Sequence, residues 1–108
     1  MIVSLIELRP SPGKRAAILE LLRYSADHLE TKPGCLSSGV YEEDDGEQTI
    51  LYVERWSREE DLRRHVQSKS YLGVLNALDL AMDRREINFY EVSGTKSMEF
   101  IVAVRNAN

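Results

Sequence analysis

Apolar positions along this chain repeat every second residue in four stretches, and between those stretches they repeat at helical spacing. Residues 2–9, IVSLIELR, put Val3, Leu5 and Glu7 on one face and Ile2, Ser4, Ile6 and Leu8 on the other. Both faces are largely apolar, which predicts a strand covered on both sides. Pro10 ends it. Ser11 is expected to cap a helix with Pro12 at its first position, where a missing N–H costs nothing. Ile18, Leu21, Leu22, Ser25 and Leu29 form that helix's apolar stripe, and Pro33-Gly34 stops it. Residues 35–43 read as a second strand, Asp44-Asp45-Gly46-Glu47 as a hairpin turn, and residues 48–56 as a third strand. Ser57 and Glu60 have capping-box spacing for a helix reaching about Gln67, with Leu62 and Val66 on its buried stripe and His65 beside them. Ser68 or Ser70 would cap a further helix with Tyr71, Val74, Leu75, Leu78 and Met82 as its apolar positions, and residues 86–92 form the fourth strand.

The order β-α-β-β-α(α)-β is the split βαβ arrangement of ferredoxin-like α+β domains. Residues 1–94 are expected to make that domain, and residues 95–108 a C-terminal extension. In the extension, Met98, Phe100, Val102 and Val104 alternate as in a strand, while Phe100, Ile101, Val104 and Arg105 suit a short helix equally. Its FIVAV run is too apolar to stand in water, so it should dock on its own domain or on a partner.

A length of 108 residues bounds the chain to one domain with a small core. One helical layer can cover only one face of a sheet. The apolar second faces of the first and third strands therefore predict a homodimer. The net charge of −4, with no stripe of Lys or Arg, speaks against nucleic acid as a partner. Cys35 is the only cysteine, so no internal disulfide forms. No apolar run approaches the roughly 18 residues of a membrane span, and no signal-peptide pattern opens the chain. The expectation is a soluble cytoplasmic protein.

No phosphate-binding glycine loop, nucleophile elbow or paired metal-ligand spacing occurs. With only His28 and His65, a metal site would need carboxylates from scattered positions, and none is expected. The informative stretch is Tyr52 to Tyr71, a strand running into a helix, with Trp56 at the join and His65 inside. Glu54 shares a strand face with Tyr52 and Trp56. A carboxylate on an inward face is costly unless paired, so it should face a cavity or meet Arg9 or Arg55. His65 either fills the rim of a helix face or serves as a proton acceptor, since imidazole titrates near neutrality. Trp56 is either core or the wall of a ligand pocket. Tyr24, Tyr52, Tyr71 and Tyr90 could line a site for a planar ligand, or pack with their hydroxyls toward water. His28 reads as a helix-edge residue and Cys35 as a small hydrophobe.

The run PGCLSSGVYEEDDGEQTILYVERW, followed by SREEDLRRHVQSKSY, resembles the antibiotic biosynthesis monooxygenase-like family, which includes small quinol monooxygenases. Pro33-Gly34-Cys35, Glu54-Arg55-Trp56 and His65 carry the likeness, which spans residues 1–93. It implies a dimeric α+β barrel, with two sheets face to face and a pocket between sheet and helices in each subunit. It also implies oxidation of a small aromatic or quinol by O2 without a cofactor, with Trp56 and His65 as catalytic residues. The haem-degrading branch requires an Asn on the first strand and a His on the second helical half, where this chain offers Glu7 and Leu75. Isomerases and proteins of no known activity share the fold. A non-catalytic dimeric ligand-binding or stress-related module, or a small-molecule isomerase, are thus the alternatives.

Overall fold

The period-two stretches do pair into one sheet. The computed structural model describes residues 1–107, and Asn108, the last residue of the extension, lies outside them. The elements are β1 (Ile2–Pro10), α1 (Arg15–Leu29), β2 (Cys35–Glu42), β3 (Ile50–Trp56), α2 (Glu59–Val66), a 3₁₀ turn (Lys69–Tyr71), α3 (Leu72–Asp79), β4 (Ala81–Glu91) and α4 (Met98–Asn106). The strand order is β2-β3-β1-β4 and every neighbouring pair is antiparallel, a ferredoxin-like α+β sheet. No helix among the described residues is long and apolar enough to cross a membrane.

Alternation along β1 and β3 divides the sheet into two faces. Ile6, Leu8, Ile50 and Tyr52 point inward and pack against Ile18 and Leu22 of α1 and Val74 and Ala77 of α3. A smaller cluster of Ile2, Leu29, Trp56 and Leu62 closes the other end of the layer, where β3 runs into α2. Val3 and Leu5 pair with Arg55 and Val53 on the outer face, and all but the exposed Arg55 are half-buried there. Among the described residues, the helices that bury apolar side chains pack on the inner face and not on that one.

Several boundaries move for physical reasons. Ser11 and Pro12 do not start α1. Gly13 sits at φ +77°, outside the helical path, and the helix begins after Lys14 with no side-chain cap. The Ser57–Glu60 capping box does not form. The Ser57 N–H is spent on the Gly34 carbonyl at 2.8 Å, and Arg58 takes the N-cap position of α2 without a side-chain cap. The buried stripe of α2 is Asp61, Leu62 and His65, while Val66 is exposed. Leu75 of α3 is also exposed, and Met82 belongs to β4, which starts five residues earlier than its apolar part suggested. The extension is helical as α4. None of the residues of α4 is buried, and Met98, Phe100, Ile101, Val102 and Val104 are all exposed.

Candidate functional site

The site is built at the end of the sheet where β3 passes into α2. The turn Pro33-Gly34-Cys35 closes it from below. Gly34 adopts φ +83°, and any Cβ there would overlap the Asp61 carboxylate. Asp61 is itself buried. It accepts from Arg58 Nε at 3.2 Å and from Arg64 Nη1 at 3.0 Å, so both guanidinium groups on this side of α2 are drawn toward it. Gly34→Ala should lower stability by about 2–4 kcal/mol, from the left-handed backbone and the steric overlap together. A denaturant titration with an unchanged midpoint would show that the turn yields freely.

Alternation places Tyr52, Glu54 and Trp56 on the inner face, and all three are at most 1% exposed. Glu54 is their hub. The Tyr52 hydroxyl donates to Oε2 at 2.7 Å, the Trp56 indole N–H donates to Oε1 at 2.9 Å, and His65 Nε2 lies 3.1 Å from Oε2. Burial pushes the Glu54 carboxyl up. The hydrogen bond and charge of the His65 ring, with the Tyr52 and Trp56 donors, outweigh burial and hold it below its ordinary value. The same burial, followed by the Glu54 charge, raises the Tyr52 hydroxyl far above its usual range and pushes Tyr71 up to about 12. Both phenols thus keep their protons at neutral pH.

This arrangement fixes the imidazole. A carboxylate only accepts, so Nε2 carries the hydrogen, and in the neutral ring Nδ1 is left with the lone pair. His65 is 3% exposed, and Nδ1 has no hydrogen-bond partner among the described residues. The ring stacks on Trp56, centroids 5.1 Å apart and planes 28° apart, and Tyr71 meets it edge-on at 5.1 Å. Trp56 and His65 together line a cavity of about 330 Å³, completed by Lys32, Pro33, Arg64 and Ser68, with Asp61 at its side. That volume is at the small end of ligand sites. A larger cleft of about 380 Å³ runs between α2 and β4, past Leu62, Val66 and Phe89, and touches neither Trp56 nor His65.

The structure therefore brings together Tyr52, Glu54, Trp56, His65 and Tyr71. It does not bring in Tyr24, which is 62% exposed on α1 and lies against His28 with ring centroids 4.0 Å apart. Tyr90 is exposed on β4, bonded to Glu86 and Asn88. Neither arginine pairs with Glu54. Arg9 and Arg55 sit at odd positions of their strands, on the outer parity, and Arg9 reaches Glu47 at 3.6 Å instead. Burial raises the Cys35 thiol, helped by the Glu54 charge and opposed by its bond to the Ser37 carbonyl, so the sulfur is no ready nucleophile. As site residues, Lys32, Asp61 and Ser68 escape the sequence patterns, while the Arg63-Arg64 pair is legible there as a possible contact for a small anion. Only the i, i+3 spacing of Arg58, Asp61 and Arg64 could have signalled any of those three.

The Glu-x-Trp strand end and the helical His are joined through one carboxylate, and the profile of the family described as "Antibiotic biosynthesis monooxygenase" matches residues 1–76. The chain belongs to the antibiotic biosynthesis monooxygenase family. Crystallography of a Deinococcus radiodurans protein named for this family gives a fold similar to this chain, with a TM-score of 0.79 and 22% identity over 91% of this chain and 98% of that one. A Nitrosomonas europaea protein named likewise gives a TM-score of 0.75 with 18% identity, over 87% of this chain and all of that one. Such identities carry the fold of an antibiotic biosynthesis monooxygenase domain and no more. An uncharacterized protein of Synechocystis is 24% identical over 92 residues, 84% of this chain. The chain spans 63% of the length of that relative.

Proposed function

We propose that this chain is a cofactor-independent monooxygenase acting on a small phenol or quinol, with His65 as the base and Trp56 as the ring against which the substrate lies. The observation that carries the reading is His65 Nδ1. It is buried without a hydrogen-bond partner among the described residues, it carries the lone pair when the ring is neutral and Nε2 donates to Glu54, and its ring lines a small cavity beside an indole. A ring seated on Trp56 would offer its hydroxyl proton to Nδ1. The resulting anion passes one electron to O2, and the radical pair joins as a ring hydroperoxide. Loss of water then leaves one oxygen atom on the ring and sends the other out as water. A quinol and O2 thus give a hydroxyquinone and H2O, with all electrons supplied by the substrate. Water-poor walls protect the anion and the peroxide.

Oxygen uptake by pure protein, free of metal and flavin, is measured against a panel of hydroquinones and naphthohydroquinones. Protein-dependent uptake above the rate of autoxidation is expected for some of them. No uptake with any member, while aromatic ligands still quench Trp56 fluorescence, would replace this reading with that of a ligand-binding module.

We also propose that the working unit is a homodimer. Support comes from the apolar outer sheet face around Val3, Leu5, Leu51 and Val53, and from the apolar, unburied α4. Sedimentation at micromolar concentration should give a species of twice 12.4 kDa, and deleting residues 95–108 should lower the melting temperature. A 12.4 kDa species alone, or a truncated chain that melts unchanged, would contradict the respective half of this statement.

A further inference from the structure

The charges around the Trp56–His65 cavity are unequal in how far they are used. Both oxygens of Glu54 are occupied, by Tyr52, Trp56 and His65. Both oxygens of Asp61 are occupied as well, by Arg58 and Arg64. Lys32 differs. Its ammonium lies 2.8 Å from Ser70 Oγ and 3.5 Å from Ser68 Oγ, and among the described residues no carboxylate comes within ion-pair distance of it. The chain is held there. The Lys32 N–H bonds the Leu29 carbonyl at 3.0 Å, and its own carbonyl accepts from the Cys35 N–H at 3.2 Å. A half-buried ammonium satisfied only by hydroxyls, in a cavity whose acids are already paired, presents net positive charge to whatever enters.

We infer that Lys32 is an anion anchor, and that the ligand of this cavity is an aromatic ring bearing an acidic group, a carboxylate in the first instance. The inference rests on reading the cavity as the aromatic site. The acid pairs with Lys32 beside Ser68, the ring lies along Trp56, and the ring's hydroxyl is left for His65 Nδ1. The hydroxyls of Ser68 and Ser70, which are 2.9 Å apart, accept from the ammonium and hold it in place, and Ser68 is itself fixed by donating to the His65 carbonyl at 2.6 Å. Lys32 selects the substrate; His65 takes the proton.

Trp56 is the only tryptophan, so its fluorescence reports this cavity alone. The full-length protein is titrated with 4-hydroxybenzoate and with 4-hydroxybenzamide, which match in size and differ in charge at neutral pH. The wild type should bind the benzoate about tenfold or more tightly, as one charge-assisted contact allows, and the preference should shrink with added salt. In Lys32→Met the two ligands should fall within about twofold of each other, and Lys32→Gln should repeat the result if the Met variant folds poorly. Lys32→Arg should keep the preference. Equal binding of the two probes by the wild type would overturn the anion anchor and leave the aromatic site standing, as would a preference that survives both Met and Gln. Binding of neither probe would overturn the anchor and the aromatic site together.

Discussion

His65→Ala should lower turnover of a phenol or quinol by about 10²-fold or more, the lower end for loss of a general base. Glu54 accepts from Nε2, Trp56 stacks on one face with its plane tilted by 28°, and Tyr71 stands nearly perpendicular to the ring, so Nδ1 is the only ring nitrogen left for a substrate. Removing the imidazole leaves Glu54 with the Tyr52 and Trp56 donors, which keeps the carboxylate satisfied and the fold intact. Circular dichroism should therefore be unchanged while turnover falls. The deficit should shrink for substrates already ionised at the assay pH, because their proton is gone before they bind. An equal deficit for ionised and neutral substrates would mean that His65 shapes the cavity without taking a proton, and full activity in His65→Ala would remove it from the chemistry.

Glu54→Gln should be the most damaging single-atom change to stability, by about 3 kcal/mol or more. Three buried donors converge on the two oxygens of Glu54. An amide offers one oxygen and turns an NH2 toward at least one of those donors, leaving it unpaired in a place without water. The same geometry sets a pH dependence. The carboxyl of Glu54 is held below its ordinary value in the folded chain, the protons of His65, Tyr52 and Trp56 outweighing the burial that opposes them. Its contribution to stability is then complete above the unfolded value of about 4.3, and is lost as pH falls through the lower folded value. The gap in unfolding free energy between wild type and Glu54→Gln should stay level above about pH 5 and close only below about pH 4. A gap that is already absent at neutral pH would mean the hub contributes nothing net.

Most of the sheet was legible because half-buried strands write their period into the sequence. Parity alone put Tyr52, Glu54 and Trp56 on one face, and the helical offset put His65 near them. Parity also excludes Arg9 and Arg55 as partners of Glu54, since both stand at odd positions. What the sequence hid are choices made by tertiary contacts. The Ser57 cap is lost because its N–H bonds Gly34, twenty-three residues away in the chain. Lys32 reaches the cavity from the end of α1, a placement no local pattern marks. The early part of β4, Ala81 to Arg85, is charged and irregular, with register shifts opposite Leu8 and Pro10, so edge-strand chemistry masked its strand period. For residues 98–106, strand and helix patterns fitted equally, and the segment formed a helix.

The central claim is that one atom of O2 enters the substrate ring by chemistry the chain performs alone. Turnover under ¹⁸O2, followed by mass spectrometry of the product and of the water formed, tests it most directly. The predicted result is a single ¹⁸O in the hydroxyquinone and the other in water, with protein free of metal and flavin. A product without ¹⁸O, whether accompanied by hydrogen peroxide or by simple rearrangement of the substrate, would contradict it.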